Sequence, residues 1–261
     1  MSNLTKRILA GVIGIPLIIS ASYFGGIFFL IFSLIVTSFA LWEYCEMFRT
    51  KGYHLFKLSA LFFSIALMII SYLLNYRFEI IFLPVFIFIT TAEILRKENR
   101  NPLNAAIIIF GILYVTVPFM MLNSFVKNTS GFNVIIFLFI LIWTCDTAAY
   151  FGGKYFGKHQ LSPISPKKTW EGSATGFVFT VSAALIVHSI IPEKISLNDA
   201  VIMGIITGIF AQIGDLFESL IKRYCGVKDS SNIIPGHGGV LDRFDSLIFV
   251  TPLIFIYLNV K

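Results

Sequence analysis

The chain has 261 residues, of which 57% are hydrophobic and only 13% are charged, and its mean hydropathy is +0.85. Soluble domains carry about 25% charged residues, so this composition excludes an ordinary water-soluble protein. The formal net charge of +6 could indicate a nucleic-acid-binding protein, but the positions of the charges, given below, exclude that class.

Nine apolar stretches have roughly the 17–20 residues that cross the hydrocarbon core of a bilayer as a helix. In chain order they are predicted at 8–24, 27–42, 58–74, 78–95, 105–122, 132–149, 174–191, 200–221 and 240–258. Unbroken apolar runs at 80–90 and 135–142 do not alternate as the strands of a membrane barrel do. The predicted fold is therefore all-α, a polytopic integral membrane protein with about nine transmembrane helices. We expect one membrane-embedded domain over 1–261, with mainly scaffold helices in 1–130 and the catalytic helices and loops in 131–261.

The first half of the chain carries few charges within its apolar stretches. A Gly25-Gly26 turn separates the first two spans, and prolines inside helices predict kinks at Pro84 and Pro118. The acids of this half lie near the ends of spans, where water or lipid headgroups are expected to reach them: Glu43, Glu46, Glu79 and Glu93. These acids are interpreted as scaffold or interface residues.

Basic residues fall mainly on one side of the predicted topology. If the N-terminus is cytoplasmic, 16 of the 20 lysines and arginines lie in cytoplasmic segments, and the other side keeps only Arg77, Lys127, Lys194 and Lys261. Such a bias orients membrane proteins with their basic loops inside. The topology predicted is a multi-pass protein of the cell inner (plasma) membrane, with the N-terminus and the polar segment 219–245 facing the cytoplasm. Its partner is membrane lipid rather than nucleic acid.

The eighth span carries a polar stripe. Gln212, Asp215, Ser219 and Lys222 recur at helical spacing, which places them on one face of a helix, and the stripe is expected to end at the cytoplasmic surface with Lys222 and Arg223. Ionisable residues within membranes are usually functional. The alternative is a buried salt bridge between helices, for example from Asp215 to Arg243.

The ninth span opens with two carboxylates one helical turn apart, Asp242 and Asp245. Mg²⁺ is usually bound by one or two carboxylates together with water and substrate phosphates. Asp215 and Asp242, near opposite ends of one polar loop, could meet around such an ion. Alternatively, the two acids only stabilise the first turn of a helix.

A glycine-rich turn, 235–239, precedes this helix. Glycines let backbone amides approach a ligand, and a helix N-terminus favours anions. The turn is flanked by Lys228, Asp229 and Arg243. His237 is interpreted as a phosphate or nucleotide contact, with a structural hydrogen bond as the alternative.

A second polar loop, 162–172, contains Lys167 and Lys168 between hydroxyl side chains. This is suitable chemistry for binding phosphate, and the alternative is a basic loop that contacts anionic headgroups. Upstream, Asp146 and the small residues that follow it, with Lys154, could complete a metal or nucleotide site. Helix packing explains the small residues but not Asp146.

The segment 219–245 resembles the defining pattern of the phosphatidate cytidylyltransferases, also called CDP-diacylglycerol synthases. The matching positions are Ser219, Lys222, Arg223, Lys228, Asp229, Ser231, Ile234, Pro235, His237, Gly238, Gly239, Asp242, Arg243 and Asp245. The segment 165–172 and the pair of Asp146 and Tyr150 also resemble family motifs. The detailed resemblance covers about the last 120 residues.

This resemblance implies transfer of CMP from CTP to phosphatidate, with Mg²⁺ and a monovalent cation such as K⁺, in a homodimer. It implies a metal site at Asp215 and Asp242, to which Asp146 and Asp245 could be added. Catalysis would involve Asp215, Asp242, Lys222 and Arg243. Substrate phosphates would be held by Lys167, Lys168, Ser219, Arg223, Lys228, His237, Gly238 and Gly239.

Two other classes of function compete with this interpretation. One is another lipid-linked transferase, such as a CDP-archaeol synthase or a polyprenol kinase, against which the complete pattern at 219–245 argues. The other is an ion or proton transporter with Asp146, Asp215 and Glu218 as a relay. A transporter needs a polar path to both sides, and the charges of the last four spans approach only the predicted cytoplasmic side.

Overall fold

A computed structural model describes residues 3–74, 78–127, 134–234, 236 and 238–260. Its described part contains helices and no β-strand. The helices are α1 (Asn3–Phe24), α2 (Gly26–Thr50), α3 (Lys57–Leu73), α4 (Phe78–Leu95), α5 (Pro102–Gly111), a π-helical segment (Ile112–Thr116), α6 (Val117–Val126), α7 (Val134–Phe156), α8 (Trp170–Ile190), α9 (Leu197–Tyr224) and α10 (Leu241–Val260).

Among the described residues, eight of the predicted spans each overlap one helix, and the fifth overlaps α5, the π-helical segment and α6 together. Six helical stretches are long and apolar enough to cross a membrane within the described residues: Gly26–Thr50, Pro102–Val126, Val134–Phe156, Trp170–Ile190, Leu197–Tyr224 and Leu241–Val260. Three shorter apolar stretches are Gly11–Phe24, Lys57–Leu73 and Phe82–Leu95. The all-α, polytopic membrane fold is therefore confirmed, while the number of nine crossings stays a prediction.

The predicted breaks between helices have local causes. Gly25 alone separates α1 from α2, and Gly25 and Gly26 have φ of 60° and 50°, values that glycine adopts without a steric cost. The π-helical segment ends at Thr116, two residues before Pro118, which cannot donate a backbone hydrogen bond into the preceding turn. The proline thus coincides with an irregular turn inside the fifth apolar stretch.

The chain forms two compact units. The first contains Met1–Ser130 and Tyr224–Arg243, and the second contains Gly131–Arg223 and Phe244–Lys261. The division after residue 130 coincides with the boundary proposed between scaffold and catalytic helices, but the segment Tyr224–Arg243 groups with the first unit. The assignment of a single domain stays a prediction.

Two acids of the first unit are buried, contrary to the expectation that water reaches them. Glu43 in α2 is 0% exposed and Glu93 in α4 is 5% exposed. Glu93 accepts hydrogen bonds from the backbone of Asn101 and the side chain of Asn104, both 2.9 Å long, and pairs with Arg96. The expectation failed because a position near the end of a span is not exposed when a loop folds over it.

The second unit is built on close helix contacts at small residues. A side chain at Gly172 of α8 would lie 2.7 Å from the carbonyl oxygen of Ala149 in α7, and one at Gly208 of α9 would lie 2.9 Å from Phe177 in α8. Small residues let helix backbones approach closely in membranes. The packing role predicted for the small residues after Asp146 is confirmed at Gly152, where an added Cβ would lie 2.5 Å from Thr175.

Candidate functional site

A cavity of about 500 Å³ lined by several charged side chains lies in the second unit. Its walls come from α7, α8, α9 and the loop between α7 and α8. The charged and amide side chains that line it are Asp146, Lys154, Lys167, Lys168, Gln212 and Asp215. The structure thus brings together both lysines of the 162–172 loop, Asp146 and two members of the polar stripe on α9.

Backbone pairing shapes the loop that carries the two lysines. An isolated antiparallel bridge joins Gln160 to Thr169, and the amide of Leu161 donates to the carbonyl of Lys168 over 2.8 Å. The Thr169 hydroxyl then accepts from the amide of Gly172 and caps the N-terminus of α8. Lys167 and Lys168 therefore lie on a loop that is closed on itself immediately before a helix.

Glu171 fixes the other end of this loop. Its Oε2 accepts from the amides of Lys158 and His159, over 3.1 and 3.2 Å, and its Oε1 lies 2.6 Å from the His159 imidazole. Gly157 ends α7 where an added Cβ would lie 2.2 Å from the carbonyl of Gly153. A glycine is needed there because the chain turns tightly against its own helix.

Three carboxylates form a cluster beside the cavity. Oxygen atoms of Asp215, Glu218 and Asp245 lie within 4.8 Å of one another. Lys168 lies 2.5 Å from Asp215, and Lys222 lies 2.5 Å from Glu218. Because Glu218 and Asp245 are 0% and 8% exposed, their negative charges need compensation from nearby cations or donors.

The close approach of α10 to α9 brings Asp245 into this cluster. A Cβ at Gly214 would lie 2.8 Å from the carbonyl of Asp245 and 3.2 Å from the Cα of Ser246. The Ser246 hydroxyl donates to the carbonyl of Ala211 over 3.1 Å. The small residue at position 214 therefore allows the carboxylates of two helices to meet.

Asp242 has a different environment, in the first unit. It lies in the first turn of α10, and its Oδ2 accepts from the Ser230 amide (2.9 Å) and the Gly239 amide (2.7 Å) and lies 2.8 Å from the Ser230 hydroxyl, which is also within 3.0 Å of Glu43. The amide of Ile234 donates to the carbonyl of Gly238, which closes the turn before α10. Gly238 has φ of 83°, and a Cβ there would lie 2.6 Å from Asp242.

The remaining predicted site residues differ in exposure. Ser219 is buried, and Lys222 is buried against Glu218 rather than exposed at the surface as expected. Five other predicted residues are exposed: Asp146, Lys167, Arg223, Lys228 and Arg243. His237 lies outside the described residues.

Asp215 and Asp242 belong to different units, so their shared metal site stays a prediction, as does phosphate binding by Gly238 and Gly239. Asp215 forms an ion pair with Lys168. The structural alternative predicted from the sequence paired it with Arg243.

Sequence reasoning did not assign Glu218 to the metal site. The signal was present, because Glu218 follows Asp215 by three residues and so shares its helix face. Glu43 was interpreted as scaffold. It contacts the segment 230–241 through hydrogen bonds that span 187 or more residues of sequence, which no local pattern reveals.

Comparison with known proteins places this geometry in context. A model described as the cytidylyltransferase family matches residues 5–261. A phosphatidate cytidylyltransferase of Staphylococcus saprophyticus is 34% identical over 260 residues, covering 97% of this chain and 98% of that protein. One of Staphylococcus haemolyticus is 33% identical with the same coverage. One of Staphylococcus aureus is 40% identical over 168 residues, 63% of each chain.

Proposed function

The chain belongs to the cytidylyltransferase family, and from this premise we propose that it transfers CMP from CTP to phosphatidate, giving CDP-diacylglycerol and pyrophosphate for phospholipid synthesis. The observation that carries the proposal is the cavity of about 500 Å³ in which lysines and carboxylates face each other. The lysines can bind the negatively charged triphosphate, and the carboxylates can bind the cation that accompanies it.

The reaction exchanges one phosphorus–oxygen bond for another. A phosphate oxygen of phosphatidate attacks the α-phosphorus of CTP, the bond from that phosphorus to the bridging oxygen breaks, and pyrophosphate leaves with the electron pair. A phosphate monoester has a second pKa of about 6, so the nucleophile is already mostly ionised at neutral pH. The protein needs no general base and acts by positioning and charge neutralisation.

The cavity lysines are suited to hold the phosphates of CTP. Lys167 is exposed on the loop, and the Lys168 ammonium is held 2.5 Å from Asp215. We assign phosphate contacts to Lys167 and Lys168 first, and extend the proposal to the other residues of the pattern: Ser219, Lys222, Arg223, Lys228, His237, Gly238, Gly239 and Arg243. A lysine held by a carboxylate is oriented before the substrate arrives, which reduces the entropy lost on binding.

The acidic cluster fits Mg²⁺. Its ligands would be carboxylate oxygens, which hard cations prefer, and its three carboxylates face two lysines, Lys168 and Lys222. Mg²⁺ would supply positive charge that offsets the negative charge of the transferred phosphate. Asp215, Glu218 and Asp245 would hold it, and Asp146 and Asp242 remain proposed ligands. We also propose K⁺ as an accompanying cation.

We further propose that the site faces the cytoplasm at the plasma membrane, where CTP is dissolved and phosphatidate is embedded. The concentration of basic residues in the predicted cytoplasmic segments supports this orientation. The resemblance of the segment 219–245 to its family supports a homodimer, which the molar mass of the purified protein in detergent will test.

The deciding experiment supplies purified protein with phosphatidate and CTP labelled at either the α- or the γ-phosphate, with and without Mg²⁺ and K⁺. We expect α-label in CDP-diacylglycerol and γ-label in pyrophosphate, both dependent on Mg²⁺. γ-Label in lipid would identify a kinase. Transfer to an archaeal ether lipid phosphate but not to phosphatidate would identify a CDP-archaeol synthase, and unconsumed CTP would contradict all transferase proposals.

A further inference from the structure

The Glu43 carboxylate is completely buried, with 0% exposure, and receives four hydrogen bonds. Its Oε1 accepts from the Ser231 hydroxyl over 2.5 Å and from the Val240 amide over 2.9 Å. Its Oε2 accepts from the Ser230 hydroxyl over 3.0 Å and from the Leu241 amide over 2.8 Å. All four donors come from the segment 230–241, which we call the pattern loop.

This arrangement explains how a carboxylate is accommodated in the interior. No lysine or arginine of the described residues forms an ion pair with Glu43, so the hydrogen bonds replace its lost hydration. Two of the donors are amides at the N-terminus of α10, where the helix dipole also favours a negative charge. Glu43 therefore occupies the place of an anion bound at the N-terminus of α10.

Ser230 links Glu43 to Asp242. The Ser230 hydroxyl lies 3.0 Å from Glu43 Oε2 and 2.8 Å from Asp242 Oδ2, while the Ser230 amide donates to Asp242. A Cβ at Gly239 would lie 2.0 Å from the Ser230 hydroxyl oxygen and 2.5 Å from Glu43. The glycine at 239 is thus required for the loop to fit between the two carboxylates.

We propose that Glu43 is a positioning residue for CMP transfer, which holds the pattern loop through Ser230, Ser231 and the N-terminus of α10 and so orients Asp242. This role rests on the proposed function. Glu43 itself contacts no reacting group. It acts through Asp242, as the outer partners of metal ligands do in other sites.

The test compares Glu43→Gln with Glu46→Gln. Glutamine has nearly the same volume, but an NH2 group replaces one carboxylate oxygen. This group donates hydrogen bonds, so it cannot accept from the donors of the pattern loop. Glu46 lies one turn further along α2 and pairs with Arg49 and Lys57 instead of the pattern loop, so its variant removes the same charge from the same helix. We expect kcat to fall about 10–100-fold in Glu43→Gln and to stay near wild type in Glu46→Gln.

Hydrogen exchange supplies a readout that does not depend on activity. Amides of the pattern loop should exchange faster in Glu43→Gln, and amides of α7 should not change. A folded Glu43→Gln protein with wild-type kcat, or with lost activity but unchanged exchange in the loop, would contradict the proposal. So would equal losses in the two variants, which would indicate a general effect of charge.

Ser231→Ala decides the matter if Glu43→Gln does not fold. It removes the donor to Glu43 and the acceptor of the Ile233 amide while keeping the charge, so we expect a fall in kcat of at least about fivefold, the factor for one lost hydrogen bond, with faster exchange at Val240. Wild-type kcat in Ser231→Ala, with unchanged exchange at Val240, would contradict the proposal. Absence of CMP transfer by the wild-type protein would refute the proposed function instead, and the exchange measurement would still report whether Glu43 holds the loop.

Discussion

Carboxylates in this protein are stabilised in two different ways. Asp215 and Glu218 each lie 2.5 Å from a lysine, within a cluster of three acids. Glu43 and Asp242 instead accept from hydroxyls and backbone amides of the segment 230–241. The first environment pairs acids with lysines, whereas the second includes hydrogen bonds from uncharged donors.

Asp215→Asn is expected to lower kcat at least about 100-fold, a loss of the size seen when one group that stabilises transition-state charge is removed. The amide removes the negative charge that faces Lys168 at 2.5 Å and takes one charged ligand from the cluster. Release of pyrophosphate from CTP and phosphatidate measures the effect. Asp199→Asn is the control on the same helix, because the Asp199 carboxylate accepts from Ser196 and Tyr257 and lies at the other end of α9 from the acidic cluster. Similar losses in both variants would contradict the assignment.

Asp242→Asn is expected to abolish Mg²⁺-dependent CMP transfer while the protein still inserts into the membrane normally. Three donors converge on Oδ2 of Asp242, and an amide oxygen there would keep them but lose the charge. Activity per inserted protein is the measurement. Near-normal transfer by this variant would refute the metal assignment for Asp242.

At the scale of the helices, the second unit depends on backbone contacts at glycines. These contacts hold the α7–α8 loop, with Lys167 and Lys168, over the cavity.

The sequence predicted the spans because hydropathy is a local average, and it predicted the polar stripe because helical spacing is local. It could not predict the role of Glu43, because periodicity says nothing about partners 187 to 198 residues away. It also could not show that Lys222 is buried, since a position at the end of an apolar stretch does not determine exposure.

Gly172→Ala is expected to lower the free energy of unfolding by about 1–3 kcal/mol, the usual cost of overpacking. Its new Cβ would lie 2.7 Å from the carbonyl of Ala149 and 3.0 Å from the Cα of Gly153, and backbone cannot move aside as a flexible side chain does. Thermal unfolding in detergent measures the loss. Gly14→Ala in α1 is the control, since a Cβ there meets nothing within 4 Å, and an equal midpoint for the two variants would contradict the packing argument.

At the scale of the whole molecule, the charges are concentrated on one predicted side of the membrane. The last four spans place Lys154, Lys167, Lys168 and Arg223 at or beyond the ends that lead toward this side. An enzyme that joins a cytosolic nucleotide to a membrane lipid needs polar access from one side only. The basic residues are distributed as such an enzyme requires, while Glu193, Lys194 and Asp199 lie at the opposite ends of α8 and α9.

Single cysteines placed at the two ends of α8 will test the orientation. The 21 residues of this helix span about 31 Å, close to the thickness of the hydrocarbon core, so its ends should lie on opposite sides. Pro163→Cys, in the loop before α8, should react with an impermeant maleimide only after the cytoplasmic side is opened, and Glu193→Cys should react in intact cells. The native cysteines are 5% exposed or less and should contribute little background. The reverse pattern would invert the topology.

The link between Glu43 and the pattern loop also has a consequence for synthesis on the ribosome. Ser230 and Leu241 are translated 187 and 198 residues after Glu43, which takes roughly 10–40 s at 5–20 residues per second. During that interval the carboxylate has none of its four native donors. Burial of Glu43 with its native donors therefore waits until the C-terminal part of the chain arrives, and it is among the last steps of assembly.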